Sequence, residues 1–176
     1  MSWKLDTVHS AVEFSVRHMM VSTVKGNFRE FAVDLELDPQ DLTRSSAKAV
    51  IKAASIDTRE QARNGHLVSA DFFDAEKYPE ITYQSRSVKA LGGDRYQIEG
   101  DLTIKDTTRP VALDVTFLGV QTSPQGVKVA GFEAATKISR QDFGLTWNVA
   151  LETGGVLVGD EIKISIDVEV NEEAAA

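Results

Sequence analysis

Apolar and polar residues alternate along most of this chain, with the period of a β-strand rather than of a helix. Val12, Phe14, Val16 and His18 share one face of a first long run, opposite Glu13, Ser15 and Arg17. Val24, Gly26 and Phe28 continue in the even phase, whereas Phe31, Val33, Leu35 and Leu37 stand in the odd phase. A bulge near Phe28 to Glu30 would correct that slip and bend the strand. Ser46 to Ala54 alternates again, with the small residues Ala47, Ala49 and Ala53 on one face. Later runs place Ile81, Tyr83 and Ser85, then Tyr96, Ile98, Gly100, Leu102 and Ile104, then Val111, Leu113, Val115 and Phe117, each set on a single face. Val127 and Val129 are out of phase with Phe132, Ala134, Thr136 and Ile138, which predicts a second bulge at Ala130-Gly131. Ile162 to Val170 closes the chain with near-perfect alternation, and residues 171–176 read as a frayed tail behind a single domain spanning 1–170.

Turn chemistry separates these runs: Asp38-Pro39, Gly92-Gly93-Asp94, Lys105 to Pro110 and Ser123-Pro124-Gln125-Gly126. One helix interrupts the pattern, opening at Asp57-Thr58-Arg59-Glu60 with a capping box of Asp57 with Glu60 or Thr58 with Gln61. About eight strands with hairpin-length connections predict an antiparallel all-β fold. A sandwich and a closed barrel both give each strand one apolar face. The bulges and consecutive long hairpins favour the barrel. The small residues Ala47, Ala49, Ala53, Gly100 and Ala134 on inward phases favour a cavity over a filled core.

Composition narrows the function. A net charge of −8 disfavours a nucleic-acid partner, which needs a basic surface. The absence of cysteine removes disulfides and thiolate chemistry. No segment offers the roughly 20 apolar residues of an integral membrane span, and the first residues lack a secretory leader pattern, so a cytoplasmic location is expected. No nucleophile elbow, phosphate loop or acidic metal motif is present, and His9, His18 and His66 lack metal-ligand spacing. No catalytic residue, metal or cofactor is therefore expected.

A set of short motifs adds to this. Trp3 to Asp6, His9-Ser10, Phe14 and His18, then Val24-x-Gly26-x-Phe28 open the series. Ser55-Ile56-Asp57-Thr58, Arg63, the run His66-Leu67-x-Ser69-x-Asp71-Phe72-Phe73-Asp74 and Tyr78-Pro79-x-Ile81-Thr82-Tyr83 continue it. Gly100-x-Leu102-Thr103-Ile104-Lys105, Thr108-Arg109-Pro110-Val111, Arg140-x-Asp142-Phe143-Gly144-Leu145 and Val158-Gly159-Asp160-Glu161-Ile162 complete it. Together they resemble the YceI-like family of polyisoprenoid-binding proteins. Asp106 stands where the family often has glycine, a difference confined to a turn. The resemblance implies an extended eight-stranded antiparallel lipocalin-like barrel with one short helix after the fourth strand. It implies a long apolar tunnel for an isoprenoid or other long-chain lipid, and a homodimer.

The candidate ligand-binding residues are the inward apolar set Phe14, Val16, Phe28, Phe31, Val33, Ile98, Leu102, Leu113, Val115, Phe117, Phe132 and Ile164. His18 joins them as a polar residue on the apolar phase, and Met20, beside Met19, as an adaptable side chain at an entrance. Arg63, with Arg59, Asn64 and His66, offers donors to an anionic head group. Phe143 and Trp147 are candidates to plug the barrel end or to form a dimer contact, and Arg140 with Asp142 to fix the irregular loop. The expected function is a lipid carrier or store. The alternatives are an enzyme acting on an isoprenoid (pyro)phosphate and a stress-related interaction protein.

Overall fold

The computed structural model describes residues 2–173. Its elements are β1 (Ser2–Leu5), β2 (Ala11–His18), β3 (Ser22–Phe28), β4 (Phe31–Glu36), β5 (Ser46–Lys52), β6 (Ile56–Asp57), α1 (Gln61–Val68), β7 (Glu80–Gly92), β8 (Arg95–Ile104), β9 (Thr107–Thr122), β10 (Lys128–Ser139) and β11 (Val158–Glu173). The strands form one sheet in the order β1-β4-β5-β7-β8-β9-β10-β11, closed by β1 on β11, with β2, β3 and β6 continuing from β11.

Register explains how so many segments make eight staves. β1 and β2 lie end to end along one edge of β11, since Leu5 faces Val170 and Val12 faces Ile166. β3 and β4 likewise run end to end, pairing with β2 and with β1. β5 and β6 make a third such pair against β4 and β3. With β7 to β11 the result is a closed up-and-down barrel in which every stave pairs with its sequence neighbours. β9 and β11 have 16 residues each, so they run roughly 50 Å. One barrel end carries the paired ends of β1 and β11; the other carries α1.

The breaks between paired segments have local causes. Between β1 and β2, Asp6 Oδ1 accepts bonds from the amides of Val8 and His9, and Asp6 Oδ2 meets His9 Nδ1 at 2.9 Å. That side-chain bond to His9 comes first in holding the Asp6 carboxyl below its ordinary value, and the Asp6 carboxylate raises His9. Ser10 then ties the segment back to the backbone of Glu169. At residues 28–31 the phase slip is a corner rather than the expected bulge. The Arg29 amide donates to Ser55 O and the Lys52 amide to Glu30 O, so β3 and β4 turn onto different partners.

Other expectations are corrected. The register shift near Gly131 is real, but its extra residue is Leu118 on β9, because Gly131 faces Gly119 and Phe132 faces Phe117. The capping box does not form. α1 begins after Glu60 without a side-chain cap, and Thr58 instead gives its amide and hydroxyl to Asn64 Oδ1. The turn expected from Lys105 to Pro110 is only Lys105-Asp106, and Pro110 lies inside β9. Asn171 to Glu173, read as tail, are paired strand, with Ser2 facing Glu173; residues 174–176 lie outside the described residues. The hairpin at Gly92-Gly93 forms as expected, with φ of 109° and 59° that suit glycine.

Two apolar clusters occupy the two halves of the barrel. Trp3, Ala130 and Val170, with Leu35, Leu37, Phe132 and Val168 against them, lie at the end where β1 meets β11. Ile56, Phe72, Ile81, Ile104, Phe143 and Leu145 belong to the larger cluster of the helix half.

Candidate functional site

Between and around these clusters runs an elongated apolar cavity of about 290 Å³. It exists because the inward side chains meet across the barrel without filling it. Phe31, Val33, Leu113, Ile138, Ile162, Ile164 and Ile166 all point inward yet are only half-buried. Ala47, Ala49 and Ala134 line the space and leave room, as their size suggested. Ala53 instead sits buried in a 3-10 turn, 1% exposed. Gly100 makes room for protein: a Cβ there would lie 2.6 Å from Tyr83 Cζ and 2.5 Å from the Gln84 carbonyl oxygen. The Tyr83 ring covers it, and its hydroxyl donates to Val111 O at 2.9 Å. Burial pushes the Tyr83 hydroxyl up to about 12. Gly26 does the same for Phe14, whose Cζ would meet a Cβ at 2.4 Å.

Of the residues singled out in the sequence, Phe14, Val16, Phe28, Phe31, Val33, Ile98, Leu102, Leu113, Val115, Phe132 and Ile164 come together around this cavity. Four do not line it. Phe117 stacks on Phe132, ring centroids 5.1 Å apart, and packs with the Trp3 cluster. His18 is the last residue of β2, paired with Ser22 and with Val158, which lines the cavity where His18 does not. Met20 stands on the following turn, 62% exposed, with φ of 62°. Arg63 donates from Nε to Thr58 Oγ1 at 2.9 Å and from Nη2 to Thr58 O at 2.7 Å, so it locks a corner. Its neighbours are engaged too: Asn64 holds Thr58, and His66 Nε2 meets Asp71 Oδ2 at 2.8 Å.

The helix end is closed. Phe72, Phe143 and Leu145 are 6%, 2% and 5% exposed. Trp147 packs edge-on against His66 and tilted against Phe72. Arg140 organises this closure from within, at 2% exposure. Its guanidinium donates to the backbone oxygens of Leu145, Trp147, Val158 and Gly159, and lies 3.6 Å from Asp160. Asp142 contributes its carbonyl oxygen, which accepts from Arg109 Nε at 3.2 Å.

Tyr83, Leu35, Leu67, Phe72, Phe73, Ile138, Ile162 and Ile166 also line the cavity. Strand phase alone points to Tyr83, Leu35, Ile138, Ile162 and Ile166. Leu67, Phe72 and Phe73 come from α1 and the connector after it, where no period marks the inward side. Among the described residues, Asp6, His9 and Glu169 bring potential metal-ligand atoms within 4.8 Å of one another. They lie outside the cavity lining, and the His9–Asp6 pair accounts for two of them.

A closed antiparallel barrel of eight staves around an apolar interior defines a lipocalin-like architecture. The chain belongs to the YceI-like family: the YceI-like domain profile matches residues 3–170. A UPF0312 protein of Staphylococcus epidermidis is 40% identical over 168 residues, covering 95% of each chain. A UPF0312 protein of Staphylococcus aureus is 39% identical over 169 residues, 96% of each. Among solved structures, BcnA of Burkholderia cenocepacia superposes with a TM-score of 0.81 at 26% identity, over 94% of this chain and 99% of that one. The Campylobacter jejuni YCEI protein gives 0.77 at 31% identity, over 90% of both chains. A polyisoprenoid binding domain from Saccharophagus degradans gives 0.75 over 98% of this chain and 99% of that one; at 13% identity the likeness is one of fold.

Proposed function

We propose that the barrel binds a polyisoprenoid or similar long-chain lipid along its interior and serves as its carrier or store. The observation that carries this reading is the interior itself, where inward valines, isoleucines and phenylalanines of many staves face space rather than protein. A cavity of about 290 Å³ is at the lower edge of ligand pockets, roughly 300–1,000 Å³, and its length suits a thin flexible chain. Removing apolar area from water at about 25 cal/mol per Å² would give affinity that depends little on the identity of the chain. The Saccharophagus degradans domain of the same fold is described as polyisoprenoid binding, which agrees with this ligand class. Binding rather than catalysis is the reading, with no cofactor required. The same reading places the protein in the cytoplasm as a homodimer; among the described residues no helix is long and apolar enough to cross a membrane.

Native mass spectrometry of the purified protein tests lipid and dimer together. The expected result is a dimer carrying apolar adducts that delipidation removes and added prenyl lipid restores, with a rise in melting temperature. A delipidated protein whose mass and melting temperature ignore added prenyl lipid would overturn the proposal.

A further inference from the structure

If the cavity holds a lipid, the lipid must get in, and apolar side chains crowd both barrel ends. Phe72, Phe143 and Leu145 are buried at the helix end, and the cluster around Trp3 and Val170 narrows the other, where its members Leu35, Leu37 and Phe132 line the cavity. The wall, however, is not continuous. The β9–β10 ladder stops at Asp114 facing Ala135. Below that pair, the Thr107–Leu113 half of β9 pairs with β8 alone, and Thr136–Ser139 of β10 pairs with β11 alone. Two facing strand edges therefore lack a ladder between them. Other ladders stop short too: the one between β5 and β7 lies beside the 3-10 turn Leu42–Arg44, whose Leu42 is only 6% exposed, β1 meets β4 only where Trp3 faces Leu35, and β6, which leads into α1, pairs with β3 alone.

We infer that this seam between β9 and β10 is a side entrance through which the apolar chain reaches the barrel interior. The inference rests on the lipid-binding reading above. Three further observations support it. Val111 and Leu113 on one lip and Thr136 and Ile138 on the other all line the cavity, so the seam leads directly into it. Pro110 lies in the half of β9 that has no partner on the β10 side. Proline has no amide hydrogen and is confined in sheets to edges, so this half-strand has the composition of an edge in the middle of a barrel wall. Two side-chain bonds pin the seam in place of a ladder: Thr136 Oγ1 donates to Ala112 O at 2.8 Å, and Arg109 Nε donates to Asp142 O. Parting the lips breaks these two bonds and the apolar contacts of Val111, Leu113 and Ile138 beside them, while every ladder of the sheet stays intact. A passage of this kind admits a flexible chain lengthwise and rejects a rigid polycyclic ligand.

The chain contains no cysteine, so a cross-link can be placed without background. Ala112→Cys with Lys137→Cys puts one thiol on each outer lip, both at exposed positions. After folding, a short bis-maleimide joins them, and uptake of cis-parinaric acid is followed by stopped-flow fluorescence. The expected result is uptake slowed about tenfold or more in the bridged protein, with the same final amount bound. The same linker across Thr122→Cys and Lys128→Cys, a pair within the intact ladder, is expected to leave the rate unchanged. Thr136→Val, which removes one pin, is expected to speed both uptake and release. An unchanged rate in the bridged protein would overturn the side entrance while leaving lipid binding intact. Failure of the unbridged protein to take up any probe would overturn the lipid-binding reading itself, and the entrance with it.

Discussion

Gly100 shows how a small residue on an inward phase can mean two different things. Ala47, Ala49 and Ala134 leave space, whereas Gly100 lies beneath the Tyr83 ring and leaves none. Strand phase places all four on the inside, but it does not say what stands opposite, because the covering residue comes from the neighbouring stave. Gly100→Ala would force a Cβ against Tyr83 and the backbone of Gln84, and should cost about 1–3 kcal/mol by urea denaturation. The Tyr83 hydroxyl gives a second test. Its folded value, about 12, is raised above the ordinary 10 by burial. The neutral phenol is therefore favoured by the fold. The associated stability is complete below pH of about 10 and is lost as pH rises through about 12. An alkaline titration should show a phenolate absorbance step near pH 12 that Tyr83→Phe abolishes. Arg63 and Met20 failed to join the cavity for a similar reason. Residue type recommended them, but Thr58 occupies the one and a left-handed turn carries the other outward.

At the scale of elements, apolar period located nearly every strand, and its phase slips located the irregularities without revealing their kind. The slip at residues 28–31 is a corner because Ser55 and Lys52, distant in sequence, supply its backbone partners. The slip at Gly131 places its extra residue, Leu118, on the opposite strand. The capping box was lost to a competing use of the same side chain, since Thr58 bonds Asn64 rather than the helix amides. Pro110 was legible as punctuation; that it marks a half-strand without a partner on the β10 side needed the register of β10. The sequence marked Arg140 as a residue that fixes the loop between β10 and β11, but not how many groups it would hold. One planar fork serves four backbone oxygens. Lysine offers a single point of charge and cannot reproduce that fan. Arg140→Lys should cost about 3 kcal/mol in denaturant and speed hydrogen exchange across residues 145–158, leaving the β7–β8 hairpin protected.

At the scale of the whole molecule, pairing β1 with β11 closes the sheet on itself and gives every stave an inside, and the inside holds more room than its side chains fill. A ligand that occupies it stabilises the fold by mass action, about 2.7 kcal/mol at a free concentration a hundredfold above its dissociation constant. Ala49→Phe, which projects a ring into that space, should weaken binding of parinaric acid about tenfold while the far-ultraviolet dichroism stays that of a sheet. The barrel depends on the pairing of β1 with β11, where Ser2 faces Glu173. These two segments lie at opposite ends of the domain's sequence, so β1 finds β11 only after every strand between them has been made. Until β11 has left the exit tunnel there is no enclosed space, only an open sheet with its apolar side to water. Any molecule held inside must therefore enter a completed barrel rather than be enclosed as the chain emerges.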